Sequence, residues 1–125
     1  MTDEDAIRKL IARFCQHLDS RQFEAWAGTF TESGVFGRWS GRAAILEMIL
    51  GGELAKQPDL KRLHAVTNSV IDVRGDTAES TSDLMMFDRV GDAPVTVRFG
   101  RYYDKLARQP NGEWLFTERR LEWRD

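Results

Sequence analysis

Two residues of this chain, Asp19 and His64, could together move a proton at neutral pH. Asp19 stands in the run Leu18-Asp19-Ser20-Arg21, and His64 opens the run His64-Ala65-Val66-Thr67-Asn68. A carboxylate that holds an imidazole is the smallest arrangement for general acid–base catalysis. Each residue also has a structural interpretation, since His64 could be a partly buried core histidine and Asp19 a cap of the next helix.

Asp19 is expected near the C-terminus of an amphipathic first helix. Thr2 and Asp5 have the spacing of a capping box at the start of this helix. Apolar residues then recur at helical spacing and form one stripe, made of Ile7, Leu10, Ile11, Phe14 and Leu18. The helix dipole disfavours an Asp near a helix C-terminus, which hints at another purpose for Asp19.

His64 is expected in the first of four long strands. The predicted elements after the first helix are a helix over 22–30, a turn over 31–34, a strand over 35–39, a helix over 42–50, and strands over 61–74, 77–90, 95–108 and 113–123. Helices followed by an antiparallel meander predict an α+β fold, with N-terminal helices packed on a curved, mostly antiparallel sheet. Because strands of this length curl, residues 1–125 are expected to form one cone-shaped domain with an interior.

Alternation along the strand over 61–74 predicts which side chains share a face with His64. Arg62, Val66, Asn68 and Val70 would lie on that face, and neither face of the strand is cleanly apolar. Such a strand suits the wall of a mixed cavity. The candidates for the pocket wall are Trp39, Val66, Met85 and Phe99.

Other groups of residues give weaker indications of a functional site. Arg119 and Arg120 fall on opposite faces of the last strand, so one of them would point inward and need a carboxylate or an anionic substrate as its partner. The two histidines, His17 and His64, are too far apart in sequence to form a recognisable metal motif. The chain has no glycine-rich phosphate loop, so neither a metal nor a cofactor is predicted.

Composition excludes several classes of protein. The 125 residues are 42% hydrophobic and carry a net charge of −2, with no basic stripe, so a nucleic-acid partner is not expected. No apolar run approaches the roughly 20 residues of a membrane span, and no signal peptide is evident. The single Cys15 cannot form an internal disulfide. We therefore expect a cytoplasmic protein with no membrane partner.

Several runs, in this order, resemble the SnoaL-like branch of the nuclear transport factor 2-like superfamily. The resemblance covers nearly the whole chain. It rests on Leu18-Asp19-Ser20-Arg21, Phe30-Thr31-Glu32-Ser33-Gly34, Ser40-Gly41-Arg42-Ala43-Ala44-Ile45, His64-Ala65-Val66-Thr67-Asn68, Gly100-Arg101-Tyr102-Tyr103-Asp104 and Gly112-Glu113-Trp114-Leu115-Phe116-Thr117-Glu118-Arg119.

The resemblance implies a cone-shaped α+β barrel with a deep apolar pocket. In scytalone dehydratase and hexachlorocyclohexane dehydrochlorinase, residues that match Asp19 and His64 form a catalytic dyad, and an arginine that matches Arg119 lies in the dehydrochlorinase pocket. Phe14 stands where the dehydrochlorinase has a cavity lysine, so Phe14 joins the expected pocket wall. Leu18 replaces a tyrosine of scytalone dehydratase. The proton-abstracting half of the site is thus matched, and the half that assists a leaving group is not.

Two functions follow as hypotheses. The first is a cofactor-free acid–base enzyme of the dehydratase (elimination), isomerase or cyclase type, acting on a small apolar or aromatic molecule. In this hypothesis His64 is the general base, Asp19 orients it, and Arg119 contacts a substrate oxygen. The second is a non-catalytic binding or assembly domain on the same scaffold. Self-association as a homodimer or homotrimer is expected under either hypothesis, with Trp114, Phe116 and Trp123 as candidate contacts.

Overall fold

Helices occupy the first part of the chain and long strands the second. The computed structural model describes all 125 residues, Met1–Asp125. The elements in chain order are α1 (Asp3–Asp19), α2 (Phe23–Ala27), β1 (Phe30–Phe36), β2 (Trp39–Ser40), α3 (Arg42–Leu50), α4 (Glu53–Lys56), β3 (Leu60–Arg74), β4 (Thr77–Val90), β5 (Thr96–Arg108) and β6 (Trp114–Trp123). The predicted α+β fold, with helices packed on a curved and mostly antiparallel sheet, is confirmed.

The six strands form one sheet in the order β2-β1-β6-β5-β4-β3. Strands β3 to β6 form an antiparallel meander, and β1 joins β6 in parallel. The stretch 31–34, predicted as a turn, lies within β1 instead. Gly34 permits the close approach of β1 to β6, because a Cβ there would lie 3.0 Å from the Thr31 carbonyl oxygen and 3.1 Å from that of Phe116. Strand β3 is an edge strand, so its outer polar groups need partners from other elements.

Helix α1 begins with the predicted capping box. Thr2 Oγ1 accepts the Asp5 backbone N–H at 3.1 Å, and the Asp5 carboxylate accepts the Thr2 N–H at 3.4 Å. The apolar stripe of the helix is buried against the sheet, chiefly against β3. The C-terminus of α1, which carries Asp19, therefore lies beside the start of the edge strand.

An aromatic cluster fills the space between α1 and the far part of the sheet. Its members are Phe14, Trp26, Phe30, Phe36, Tyr102 and Phe116. The Phe14 ring lies at the centre, 5.4 to 6.1 Å from the other five rings, mostly in edge-to-face contacts. Such packing contributes both buried apolar area and favourable ring geometry. This end of the cone is thus occupied by the protein's own side chains.

A β-bulge in β3 reverses the alternation of its side chains. The pairing of β3 with β4 shifts between Thr67 and Val70, and Asn68 adopts a left-handed backbone with φ of 53°. An inserted residue moves every later side chain to the other face. The prediction that Asn68 and Val70 share a face with His64 is therefore wrong, and Val70 is 61% exposed.

The face of the sheet opposite the helices is uncovered. Its exposed apolar residues include Leu63, Val70, Val97 and Phe99. Trp114 and Phe116, expected at a contact between copies, are instead buried in the core. Trp123 is partly exposed at the end of β6, where the Arg98 guanidinium lies 3.8 Å from its ring.

Candidate active site

Asp19 binds His64 through both of its carboxylate oxygens. Oδ1 lies 2.6 Å from Nδ1 of the His64 ring, and Oδ2 accepts the His64 backbone N–H at 3.0 Å. This N–H points out of the edge strand, where no neighbouring strand can accept it. The single carboxylate of Asp19 therefore accepts an N–H of the edge strand and also orients the imidazole of His64.

The contact with Asp19 determines which ring nitrogen of His64 carries a proton. An ionised carboxylate only accepts hydrogen bonds, so Nδ1 donates to it and neutral His64 has its lone pair on Nε2. Nε2 makes no hydrogen bond within the protein. Only two buried side-chain polar atoms lack a partner, Trp26 Nε1 and Arg119 Nη1, so Nε2 of His64 retains access to solvent. The free nitrogen is thus the one that could accept a proton.

The Asp19–His64 pair borders a cleft of about 400 Å³ between α1 and β3. Half of the lining residues are apolar, and the lining consists of Arg8, Ile11, Ala12, Cys15, Gln16, Asp19, Leu63, His64, Val66 and Ser69. Ile11, Cys15 and Asp19 follow one another at four-residue intervals and therefore share one flank of the helix. Arg8 lies at the other end of the cleft, where it donates to the Ser69 carbonyl at 3.5 Å and to Glu4 at 2.8 Å.

Cys15 lies within this cleft lining but is not poised as a nucleophile. Burial raises the pKa of the Cys15 thiol to about 11, and the nearby Asp19 carboxylate acts in the same direction. At neutral pH the sulfur is therefore protonated, and the thiol is a weak nucleophile. Proton transfer at His64, rather than thiolate chemistry, is what this cleft offers.

Arg119 lies in the core and not in the cleft. Its side chain and that of Asp104 are both fully buried and form an ion pair, with Nε 2.8 Å from Oδ1 and Nη2 3.2 Å from Oδ2. The Ser80 hydroxyl donates to Asp104 at 2.9 Å, and the guanidinium stacks 3.6 Å from the Tyr102 ring. Burial in this layer raises the pKa of the Tyr102 hydroxyl. The expected contact of Arg119 with substrate is thus replaced by an internal carboxylate.

The predicted pocket-wall residues separate into three groups. Val66 lines the cleft. Phe14 is the fully buried centre of the aromatic cluster, and Trp39 lies half-buried on β2, at the sheet edge opposite β3. Met85 and Phe99 point away from His64, because Met86 is the β4 residue that pairs with His64 and its neighbour Met85 must face the other way. Phe99 is 52% exposed on that outer face.

Several cleft residues do not stand out in the sequence. The flank of α1 that carries Arg8, Ile11, Cys15 and Gln16 resembles a part of the core stripe or of the solvated surface. The four-residue intervals that link Ile11 and Cys15 to Asp19 are a usable signal. The sequence alone also does not indicate that Asp104 is the partner of Arg119. Both positions face inward and lie opposite each other on β5 and β6.

A second concavity, of about 390 Å³, lies on the outer face of the sheet. Its lining is mainly polar and includes Asp72, Glu79, Tyr103, Lys105 and Arg120. It contains no histidine, and its charges are of both signs. No three His, Cys, Asp or Glu side chains are grouped so that they could hold a metal ion. None of the helices is long and apolar enough to cross a membrane.

The fold and the site together define an α+β cone with an Asp-held histidine at the end of its first helix. Residues 1–120 match the model of the SnoaL-like domain family. The chain therefore belongs to the SnoaL-like domain family, on a scaffold that includes cofactor-free isomerases, dehydratases and cyclases. No curated protein matches the sequence significantly.

Three solved structures with the same fold illustrate the similarity, each at least 26% identical to this chain. Rv3472 of Mycobacterium tuberculosis, a protein of unknown function, is 30% identical, with a TM-score of 0.82 over 95% of this chain and 74% of that one. An NTF2-like protein with a cystatin-like fold from Novosphingobium aromaticivorans is 28% identical, with a TM-score of 0.88 over 98% and 82%. A protein from Catenulispora acidiphila in complex with S-DNPA is 26% identical, with a TM-score of 0.85 over 96% and 92%.

Proposed function

We propose that the protein is a cofactor-free acid–base enzyme in which His64 is the general base and Asp19 its partner. The observation that carries this proposal is the 2.6 Å contact between Asp19 Oδ1 and His64 Nδ1, combined with a free Nε2. A base must reach its proton directly or through one water molecule, and Nε2 is the only imidazole nitrogen of the pair that can do so.

The first chemical step is the transfer of a proton from substrate carbon, or from water, to His64 Nε2. The electron pair of the broken C–H bond stays on the substrate, and the positive charge that forms on the imidazole faces the Asp19 carboxylate. When the proton comes from carbon, the substrate anion can then expel a leaving group, reprotonate at another carbon, or attack a carbonyl group within the same molecule. Elimination, isomerisation and cyclisation share this first step. When the proton comes from water, the hydroxide that remains adds to the substrate.

The cleft supports a small, largely apolar substrate. Its volume of about 400 Å³ lies within the range of small-molecule sites, and Ile11 and Val66 supply apolar wall next to the base. The complex of the Catenulispora acidiphila relative with S-DNPA is further support for ligand binding on this scaffold. A small apolar or aromatic molecule with an acidic C–H group is the ligand that we propose.

The alternative is a non-catalytic binding or assembly domain, and two observations favour it. The aromatic cluster occupies the interior where a deep pocket was expected. The uncovered sheet face also carries exposed apolar side chains, such as Val97 and Phe99, that a second copy could cover in a homodimer or homotrimer. In this alternative the Asp19–His64 pair only fastens α1 to the edge of β3.

Hydrogen–deuterium exchange distinguishes these functions even while the natural substrate is unidentified. Small aromatic and carbonyl compounds that bind the protein, identified by ligand-detected NMR, are incubated with it in D₂O. We expect His64-dependent deuterium incorporation at an acidic carbon of at least one bound compound. His64→Ala should abolish the exchange, whereas His17→Ala should retain it, because His17 lies outside the cleft and contacts Gln22. Binding without His64-dependent exchange would favour the alternative.

A further inference from the structure

The turn that follows α1 contains a residue with an uncommon backbone conformation. Arg21 lies two residues beyond Asp19 and adopts φ of 57°, in the left-handed region. Its N–H donates to the Leu18 carbonyl at 3.1 Å, and the Gln22 N–H donates to the His17 carbonyl at 2.8 Å, so the helix closes with a Schellman motif. Glycine is the usual residue at this position, since any Cβ is disfavoured there. An arginine at this position indicates that its side chain has a structural or functional role.

The Arg21 side chain binds three backbone carbonyl groups. Nε donates to the Leu54 carbonyl at 3.2 Å, and Nη2 donates to those of Gln57 at 3.1 Å and Leu60 at 2.5 Å. Leu54 lies in the short helix α4, Gln57 follows that helix, and Leu60 is the first residue of β3. One guanidinium therefore ties the end of α1 to the segment that leads into β3.

Two sets of hydrogen bonds thus join the end of α1 to the start of β3. Arg21 holds the Leu60 carbonyl, and Asp19 holds the N–H and the ring of His64, four residues further along the strand. The two hydrogen bonds of Asp19 form only when α1 and β3 keep a fixed position relative to each other along their axes. A side chain with several fixed donors, such as arginine, can impose that position, whereas an ammonium group offers only a point charge.

We propose that Arg21 is a positioning residue for the Asp19–His64 pair. Arg21 is not among the residues that line the cleft, and its side-chain hydrogen bonds go to backbone carbonyl groups and not to His64. It acts by keeping the end of α1 in register with the start of β3. This inference rests on the proposed function for its catalytic meaning. The position of the His64 ring and its tautomer can nevertheless be measured without any substrate.

The experiment records two-bond ¹H–¹⁵N spectra of protein with labelled histidine, at a pH at which His64 is neutral. Wild-type protein should show Nδ1 protonated and Nε2 unprotonated. Arg21→Ala removes the three hydrogen bonds and should shift both His64 nitrogens toward the averaged values of mixed tautomers. Arg21→Gly removes the same bonds while relieving the left-handed backbone, so it provides a folded variant if Arg21→Ala is unstable. Arg21→Lys should give an intermediate spectrum.

The matched control is Arg42→Ala. Arg42 also donates two hydrogen bonds to a backbone carbonyl, that of Phe30, at 3.1 and 2.6 Å, but it joins α3 to β1, away from His64. This variant should lose stability while its His64 spectrum stays as in wild type. A wild-type His64 spectrum in folded Arg21→Gly or Arg21→Ala protein would overturn the proposal. So would an equal perturbation of the His64 signals by Arg42→Ala.

Activity provides a second, separable readout once an exchanging compound is known. Displacement of a catalytic group by about 1 Å can lower a rate ~100-fold. We therefore expect the Arg21 variants to lower the exchange rate at saturation by about 10- to 100-fold, with the apparent affinity for the compound within about twofold of wild type. If His64→Ala retains exchange, the proposed function fails, whereas the spectra still decide whether Arg21 positions the ring.

Discussion

The molecule contains two inward-facing pairs of a carboxylate with a basic side chain, Asp19–His64 at the edge of the sheet and Asp104–Arg119 in its core. The first keeps some solvent contact, with side chains 15% and 5% exposed, and the second is completely buried. An imidazole can bind and release a proton, whereas an arginine stays charged in proteins. The same type of contact can thus serve proton transfer at the edge and fix the core arrangement in the centre.

The two pairs also differ in what surrounds them. His64 has one ring nitrogen free and lies beside a cleft. Arg119 is enclosed by the rings of Tyr102, Phe14 and Phe116, and its Nη1 has no partner. A buried charge whose partner is removed is costly, so the core pair is expected to affect stability and the edge pair activity. Four predictions test this division, from the largest expected effect to the smallest.

Asp19→Asn should have the largest effect, on the rate of proton transfer. The amide preserves the size of the side chain but removes the negative charge, and it can present an N–H to Nδ1, which would favour the wrong tautomer of His64. We expect the His64-dependent exchange rate to fall by about 10²- to 10⁴-fold. The melting temperature, followed by circular dichroism, should change little. An unchanged rate in this variant would contradict the role assigned to Asp19.

Asp104→Ala should have a large effect on stability, because it leaves the Arg119 guanidinium buried and unpaired. We expect the free energy of unfolding to fall by about 3–5 kcal/mol, measured by urea denaturation. A double variant, Asp104→Leu with Arg119→Met, should recover much of this loss, since no charge then remains buried. A small loss in the single variant would mean that the pair reaches solvent, and Arg119 would again be a candidate substrate contact.

Cys15 gives a pH-dependent effect at the boundary between core and cleft. Its thiol pKa is about 11 in the folded protein and 9.0 in its ordinary state, so the folded form holds the proton more tightly. Between about pH 9 and pH 11 the unfolded chain loses this proton first, and the free energy of unfolding falls by ~2–3 kcal/mol. Cys15→Ala should show a correspondingly shallower loss over this range in urea denaturation at several pH values. Parallel pH profiles for the two proteins would contradict the burial of the thiol.

Arg101→Ala should have the smallest effect. Arg101 pairs with Asp83 at 2.8 Å on the uncovered face of the sheet, where both side chains are about one-third exposed. The Arg101 contact lowers the pKa of Asp83, but solvent screens exposed pairs of this kind. We expect no measurable shift in the urea midpoint. A clear loss of stability would mean that burial alone does not determine how much the pairs Asp19–His64, Asp104–Arg119 and Asp83–Arg101 each contribute to stability.

Much of the fold could be predicted because periodicity and turn residues agree along the chain. The predicted strand over 77–90 coincides with β4, Thr77–Val90, and the first helix ends at Asp19 as expected. Gly75-Asp76 and Gly91-Asp92 mark tight turns between apolar runs, which places the ends of β3 and β4. The meeting of Asp19 with His64 also followed from the resemblance to relatives, although no local pattern required it.

The faces of the strands were harder to assign. A single bulge at Asn68 reverses the alternation of β3, and nothing in the residues 61–74 marks it clearly. Met85 and Met86 are equally apolar, so composition could not tell that Met86 faces His64 and that Met85 faces outward. The burial of Arg119 depends on Asp104, a contact between two strands that only their register creates.

The position of His64 on an edge strand has a further consequence. Three outward-pointing backbone groups of β3 are taken by side chains: the Leu60 carbonyl by Arg21, the His64 N–H by Asp19 and the Ser69 carbonyl by Arg8. An unoccupied edge of fifteen residues would be a template for strand addition by another chain. The carboxylate that orients the base therefore also occupies one of the edge groups through which another chain could pair with the longest strand.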